Sequence, residues 1–269
     1  MVYAKKSLGQ NFLKSKGALR AIVSAGKLSA NDVVLEIGPG RGALTEALLG
    51  TGATVVAVEK DDALVPFLQQ KFEIDIKEKK LFIIHGDILK LSASDIFTST
   101  LPPFSSSPLH YKLIANIPYY ITGEVIRKFL EEASQPSLMV LLVQKEVAER
   151  ITVKDGKESI LSMAVRAYST PRLVAKVPRG AFVPAPNVDS AVVAFERISK
   201  KTFTENDVSE AAFFELVKAG FAHKRKKLGG NLKALKDKLD IEVFEKFKDR
   251  RAEELRLADW ISLFPKTSN

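Results

Sequence analysis

Asn116-Ile117-Pro118-Tyr119 follows an apolar, strand-like run and sets an amide, a rigid corner and an aromatic ring side by side. That combination suits holding the exocyclic amine of an adenine. Such an amine shares its lone pair with the ring and is a poor nucleophile unless acceptors hold its hydrogens and leave the lone pair aimed at an electrophile. The Asn116 carboxamide oxygen can accept one hydrogen, and a neighbouring backbone carbonyl the other. Pro118 has no N–H and drives Ile117 toward extended backbone, which favours a sharp turn at the strand end with the Ile117 carbonyl left free. Tyr119 adds a face on which a base can stack. The same four residues also suit an ordinary strand-to-helix turn, so the elements around them have to decide.

Those elements alternate. Val33 to Ile37, Thr54 to Glu59, Leu81 to His85, Tyr111 to Ile117 and Leu138 to Val143 are short β-branched runs of the kind that form buried parallel strands. Between them lie helical patterns at Ala43 to Leu49, Asp61 to Lys71, Thr122 to Glu132 and Lys145 to Ile151, with another at Ser159 to Tyr168. The order predicts a doubly wound α/β fold. Leu173 to Val177 and Val188 to Phe195 are joined without a convincing helix, which predicts an antiparallel addition at the sheet edge and seven strands in all. Ser99 to His110, rich in Ser and Pro, reads as a surface loop. Beyond about Ser199 the pattern is helical only, over Ser209 to Ala219, Lys226 to Leu239, Ile241 to Lys248 and Ala252 to Leu263. We therefore expect a large α/β domain over residues 1–200 and a small helical domain over 201–269.

The loop after the first strand of the expected sheet reads Glu36-Ile37-Gly38-Pro39-Gly40-Arg41-Gly42. Gly38 and Gly40 let backbone approach a ligand at the carboxyl edge of the sheet, where open α/β folds bind nucleotides. Glu59 ends the second strand, where a carboxylate can hold vicinal ribose hydroxyls, and Asp87 ends the third, where it can accept from an adenine amine. Glycines and Glu59 serve NAD and S-adenosylmethionine equally well. Each acid alone would also pass as a helix cap. Gln10-Asn11-Phe12-Leu13 precedes a helix-like segment and could cover such a cofactor or simply cap and anchor that helix.

Composition narrows the partners. Lys and Arg number 41 against 32 Asp and Glu, a net charge of +9, which favours a polyanion such as nucleic acid. Cysteine is absent and the three histidines, His85, His110 and His223, lack metal-ligand spacing, so no protein-ligated metal is expected. Neither a secretory leader nor a run of about 18 apolar residues is present, which predicts a soluble cytoplasmic protein without a membrane span. From Phe221 to Lys238 seven basic residues face the single acid Asp237. Lys224-Arg225-Lys226-Lys227 within that stretch can neutralise phosphates or form a solvated helical face. No oligomerisation stripe stands out, and a monomer is expected.

With these residues collected, the chain resembles the ribosomal RNA adenine dimethyltransferases, Rossmann-like class I methyltransferases. The resemblance runs through Gln10 to Leu13, Glu36 to Gly42, Glu59, Gly86-Asp87, Asn116 to Tyr119, Gln144 to Arg150 and Phe182-Val183-Pro184-Ala185-Pro186-Asn187-Val188-Asp189-Ser190, nearly the whole chain. It implies S-adenosylmethionine as methyl donor, bound through Asn11, Leu13, Gly38, Glu59, Asp87 and Asn116 with Ile88 beside its adenine. Gln10 and Gly40 complete the expected cofactor set. Asn116 and Ile117 would then hold a flipped adenosine, with Tyr119 on one face and Phe182 on the other, although Phe182 also suits plain core packing. Gln144 to Arg150 and Phe221 to Leu228 resemble the branch that dimethylates two adjacent adenosines in the 3′-terminal hairpin of small-subunit (16S) RNA. Departures are Tyr120, where that branch often has Asn, and Ile117, where Leu is common. The small ribosomal subunit is then the implied partner. Two other readings stay open: a macrolide-resistance-type methyltransferase of large-subunit RNA, and an assembly factor that acts mainly by binding the subunit.

Overall fold

In the computed structural model, described for residues 5, 8–100, 110–153 and 156–265, the chain divides into two compact units. One comprises residues 1–148 and 171–198, the other 149–170 and 199–269. The expected surface loop falls on residues 101–109, which lie outside the described residues, and Ser99 and Thr100 belong to a helix.

The first unit opens with β1 (Phe12–Leu13) and α1 (Lys16–Gly26), whose N-cap Ser15 accepts from the Ala18 N–H. There follow β2 (Val33–Ile37), α2 (Ala43–Leu49), β3 (Thr54–Glu59), α3 (Leu64–Lys71), α4 (Glu73–Lys77), β4 (Leu81–His85) and α5 (Ala93–Thr100). The chain continues with β5 (Lys112–Asn116), α6 (Thr122–Glu131), β6 (Leu138–Gln144), α7 (Lys145–Ile151), α8 (Ile160–Tyr168), β7 (Thr170–Val177), β8 (Phe182–Val183) and β9 (Ser190–Glu196). Seven strands form one sheet in the order β4-β3-β2-β5-β6-β9-β7. The strands from β4 to β6 are parallel and β9 runs antiparallel to β6, giving a mostly parallel α/β sheet of the Rossmann-like kind. β9 inserts between β6 and β7, so β7 takes the edge.

Burial explains why these runs are strands. Leu35, Val55, Val56, Ile114, Val140 and Val193 are all fully inaccessible, as strands covered on both faces require. The order reverses at β2, with β3 on one side and β5 on the other, which opens a crevice at the carboxyl ends of those strands. A separate two-stranded ribbon pairs β1 with β8, Phe12 opposite Val183 and Leu13 opposite Phe182.

The second unit is helical. Besides α8 it holds α9 (Lys201–Thr204), α10 (Glu210–Gly220), α11 (Leu228–Asn231), α12 (Ile241–Phe247) and α13 (Leu257–Ser262). Its core is aromatic: Tyr168, Phe203, Phe213 and Phe214 pack ring on ring, and Trp260 stacks on Phe221 at 5.8 Å. The segment Glu149–Thr170, expected with the α/β domain, packs within this unit. The single helix expected over Lys226 to Leu239 is instead α11 followed by a 3-10 stretch, Lys233–Lys238. The Leu228 and Gly229 N–H groups donate to the Arg250 and Lys248 carbonyls, and a Cβ on Gly229 would stand 3.1 Å from the Lys248 Cβ. Among the described residues no helix is long and apolar enough to cross a membrane.

Candidate active site

A cavity of about 410 Å³ sits at the crevice predicted by the strand order. Its floor is the loop after β2, where Gly38, Gly40 and Gly42 take positive φ of 65, 58 and 76°. At Gly40 a Cβ would stand 3.0 Å from the Phe12 ring, so glycine lets β1 close over the loop. The Arg41 guanidinium lies over that ring, 4.7 Å from its centroid.

Glu59 at the end of β3 is fixed by two backbone donors, Gly40 N–H at 3.1 Å and Asp61 N–H at 2.8 Å. Burial pushes its carboxyl up, against the pull of those donors. Asp87, just past β4, is held by Lys60 at 2.8 Å, and this pairing pulls its carboxyl below the ordinary range. Ile88 beside it is buried and apolar. Gln10 donates to Asp61 at 2.8 Å, which ties the segment before β1 to the end of β3. Gln10, Asn11 and Leu13 all line the cavity.

Asn116 ends β5 with its side chain at the cavity. Its amide nitrogen donates to the Asn11 carbonyl at 3.2 Å, which leaves the amide oxygen able to accept. Pro118, at φ −58° and ψ 135°, turns the chain into a 3-10 turn, Tyr119–Ile121, that runs into α6. The Tyr119 hydroxyl shares a 2.7 Å hydrogen bond with Ser190 at the start of β9, which fixes the ring. Ile117, Pro118 and Tyr119 line the same cavity as Gly38, Glu59 and Asp87.

Phe182 departs from expectation. It is 2% exposed and belongs to the hydrophobic core, whereas Val183 lines the cavity. Alternation along β8 is the reason: pairing with β1 turns residue 182 inward and residue 183 outward. Phe182 as placed offers no face to a base.

The sequence reading also passed over Glu36 as a ligand group. It is fully buried in β2, lines the cavity, and neither carboxylate oxygen has a hydrogen-bond partner. Burial pushes its carboxyl up to about 8, with Glu59 adding to the rise and Thr45 opposing it. The visible signal was a charged residue inside an otherwise apolar strand, Val-Val-Leu-Glu-Ile. Ser190 was equally hidden, since nothing local ties it to Tyr119, 71 residues away. Among the described residues no group of three or more His, Asp or Glu side chains is placed to hold a metal.

In the helical unit Lys224, Arg225, Lys226 and Lys227 are all exposed, on a turn ahead of α11 rather than on a helix face. Lys227 pairs with Asp249 at 2.9 Å. Arg225 and Lys227 also line a wide cleft of about 770 Å³ with Lys157, Arg250, Arg251 and Arg256, opposed by Asp249, Glu253, Glu254 and Asp259.

The family model described as "Ribosomal RNA adenine dimethylase" matches residues 1–268. Ribosomal RNA small subunit methyltransferase A of Dehalococcoides mccartyi strain CBDB1 is 43% identical over 269 residues, covering 97% of this chain and 87% of that one. The protein of the same name from Lactiplantibacillus plantarum is 41% identical over 233 residues, covering 86% and 76%. Among solved structures, a dimethyladenosine transferase from Plasmodium falciparum superposes with a TM-score of 0.75 at 26% identity, covering 94% of this chain and 95% of that one. The 23S rRNA methyltransferase ErmE, at 22% identity and a TM-score of 0.72 over 94% and 98%, shares the fold. A chain matched end to end by that model, with relatives this similar across its length, belongs to the ribosomal RNA adenine dimethylase family.

Proposed function

We propose that the protein dimethylates the exocyclic amines of two adjacent adenosines in the 3′-terminal hairpin of small-subunit (16S) ribosomal RNA, with S-adenosylmethionine as donor, during subunit biogenesis in the cytoplasm. One observation carries the reading: Asn116 stands at the rim of a nucleotide-type cavity with its amide nitrogen committed to Asn11 and its oxygen left to accept.

The cavity suits the donor. Glu36 offers two buried carboxylate oxygens without donors, the natural seat for the ammonium of an amino-acid moiety. Glu59 keeps acceptor capacity for ribose hydroxyls beyond its two backbone bonds, and Asp87 is held ionised to accept from an adenine amine. Gly38, Gly40, Asn11, Leu13 and the apolar Ile88 line the same cavity and would hold the rest of the donor, Ile88 beside its base. When bound, S-adenosylmethionine supplies a sulfonium methyl, an electrophile with a neutral leaving group.

The chain's own residues then have to position rather than activate. Asn116 Oδ1 and the Ile117 carbonyl accept the two hydrogens of the target amine and keep its lone pair aimed at the methyl. Tyr119, braced by Ser190, stacks on the extruded base. Each methyl transfer would release one proton from the amine to solvent, and in the second transfer the single hydrogen that remains would need only one of these two acceptors. The exposed turn Lys224 to Lys227 and the cationic side of the nearby cleft contact RNA phosphates on the subunit, so the helical unit, residues 201–269 together with α8, serves recognition.

Incubation of unmethylated small subunits with labelled donor tests this. Wild-type protein should place label on two adjacent adenosines, and Asn116→Ala should lower the rate by about 100-fold or more. Wild-type-like transfer by that variant sinks the role of Asn116; label appearing on naked large-subunit RNA instead of the small subunit sinks the substrate assignment.

A further inference from the structure

Tyr120 has no part in holding the reacting amine, yet it lines the same cavity and follows Tyr119 within one 3-10 turn. It is 57% exposed, the one aromatic among the large hydrophobic residues left open to solvent in the described chain. A tyrosine at a cavity mouth usually covers its ring. Here one side of the ring backs onto Gly9, where a Cβ would stand 3.2 Å from both Cδ1 and Cε1 and where φ is +60°. Gly9 thus seats the ring while the rest of it stays accessible.

The surroundings are those of a strand-binding rim. Lys60, which pairs with Asp87, lines the cavity together with Lys14 and Arg41. Val183, 48% exposed, adds an apolar wall from β8. A base extruded into the cavity leaves its neighbour without a stacking partner, and an exposed ring beside cationic side chains is the usual replacement.

We propose that Tyr120 forms a subsite for the nucleotide adjacent to the one being methylated, stacking that base outside the cavity while its neighbour reacts. The inference rests on the RNA-adenine reading above. It gives adjacency a physical role: either target adenosine occupies the ring while the other occupies the cavity.

The experiment is a double-perturbation cycle on unmethylated small subunits, either native or reconstituted with an abasic nucleotide next to one target. Tyr120→Ala should raise KM for native subunits about 10-fold, leave the affinity for S-adenosylhomocysteine unmoved, and cause no further loss on abasic subunits. Tyr120→Phe, which keeps the ring, should recover most of the loss. Additive penalties from Tyr120→Ala and the abasic nucleotide, or a KM for Tyr120→Ala equal to wild type, would overturn the subsite. Failure of the wild-type enzyme to methylate native subunits would instead overturn the functional reading, so the two failures are distinguishable. Retained binding of S-adenosylhomocysteine reports a folded variant.

Discussion

Glu36, one residue before the end of β2, and Asn116, the last residue of neighbouring β5, are each half of an unfinished interaction. Asn116 has spent its donor on Asn11, and Glu36 has only Thr45 beside it, short of a hydrogen bond. For Glu36 this has a pH signature. Its folded carboxyl titrates at about 8 against an ordinary value of 4.5, so the folded state binds the extra proton between these values. The stability that goes with that proton is fully present below the unfolded value and is lost as pH rises through about 8. Melting temperatures of the ligand-free protein should therefore decline between about pH 5 and 8 and level off above that, and Glu36→Gln should flatten the decline. Binding of a cationic ligand favours the ionised carboxylate, so the affinity for S-adenosylhomocysteine should rise toward pH 8 in the wild type and stay level in the variant. A wild-type affinity independent of pH over that range would remove Glu36 from the ammonium site.

At the scale of elements, the turn from β2 into α2 is the most demanding piece of backbone in the cavity. Gly42 is the N-cap of α2 in the left-handed region, and a Cβ there would stand 2.4 Å from the Phe72 ring. Gly42→Ala combines left-handed strain, ~1–3 kcal/mol, with displacement of a buried aromatic, and should lower unfolding stability by about 3 kcal/mol in urea titrations. Gly123→Ala is the contrast: Gly123 lies in α6 with open space around its Cβ position, and alanine should stabilise by about 0.5 kcal/mol. Equal effects of the two changes would mean that the loop relaxes freely. This turn was legible in the sequence because glycine spacing is a local signal, and β2 to β6 were legible because uninterrupted runs such as Val33 to Ile37 suit strands buried on both faces. Features set by distant partners were not. The direction of Phe182 depends on the pairing of β8 with β1, the seating of α11 on the Lys248 and Arg250 carbonyls, and the bracing of Tyr119 on Ser190. Each joins segments that carry no mark of one another.

Taken as a whole molecule, the chain carries a surplus of nine positive charges that is spread over both units. In the helical unit Lys224, Arg225 and Lys226 project from an exposed turn beside Lys227, which pairs with Asp249 at the surface. If these three side chains neutralise phosphates, binding to the small subunit must weaken with salt through release of condensed counterions, by about 0.7–0.9 in log–log slope per phosphate. Replacing all three by alanine should make the slope of log K against log salt shallower by about 2–3, while the affinity for S-adenosylhomocysteine, bound in the other unit, stays as in the wild type. Subunit binding measured from 50 to 300 mM KCl gives that slope directly. A slope equal to wild type would make the turn a solvated surface and move the electrostatic contact elsewhere, the cleft lined by Arg250, Arg251 and Arg256 being the next set of cations to replace.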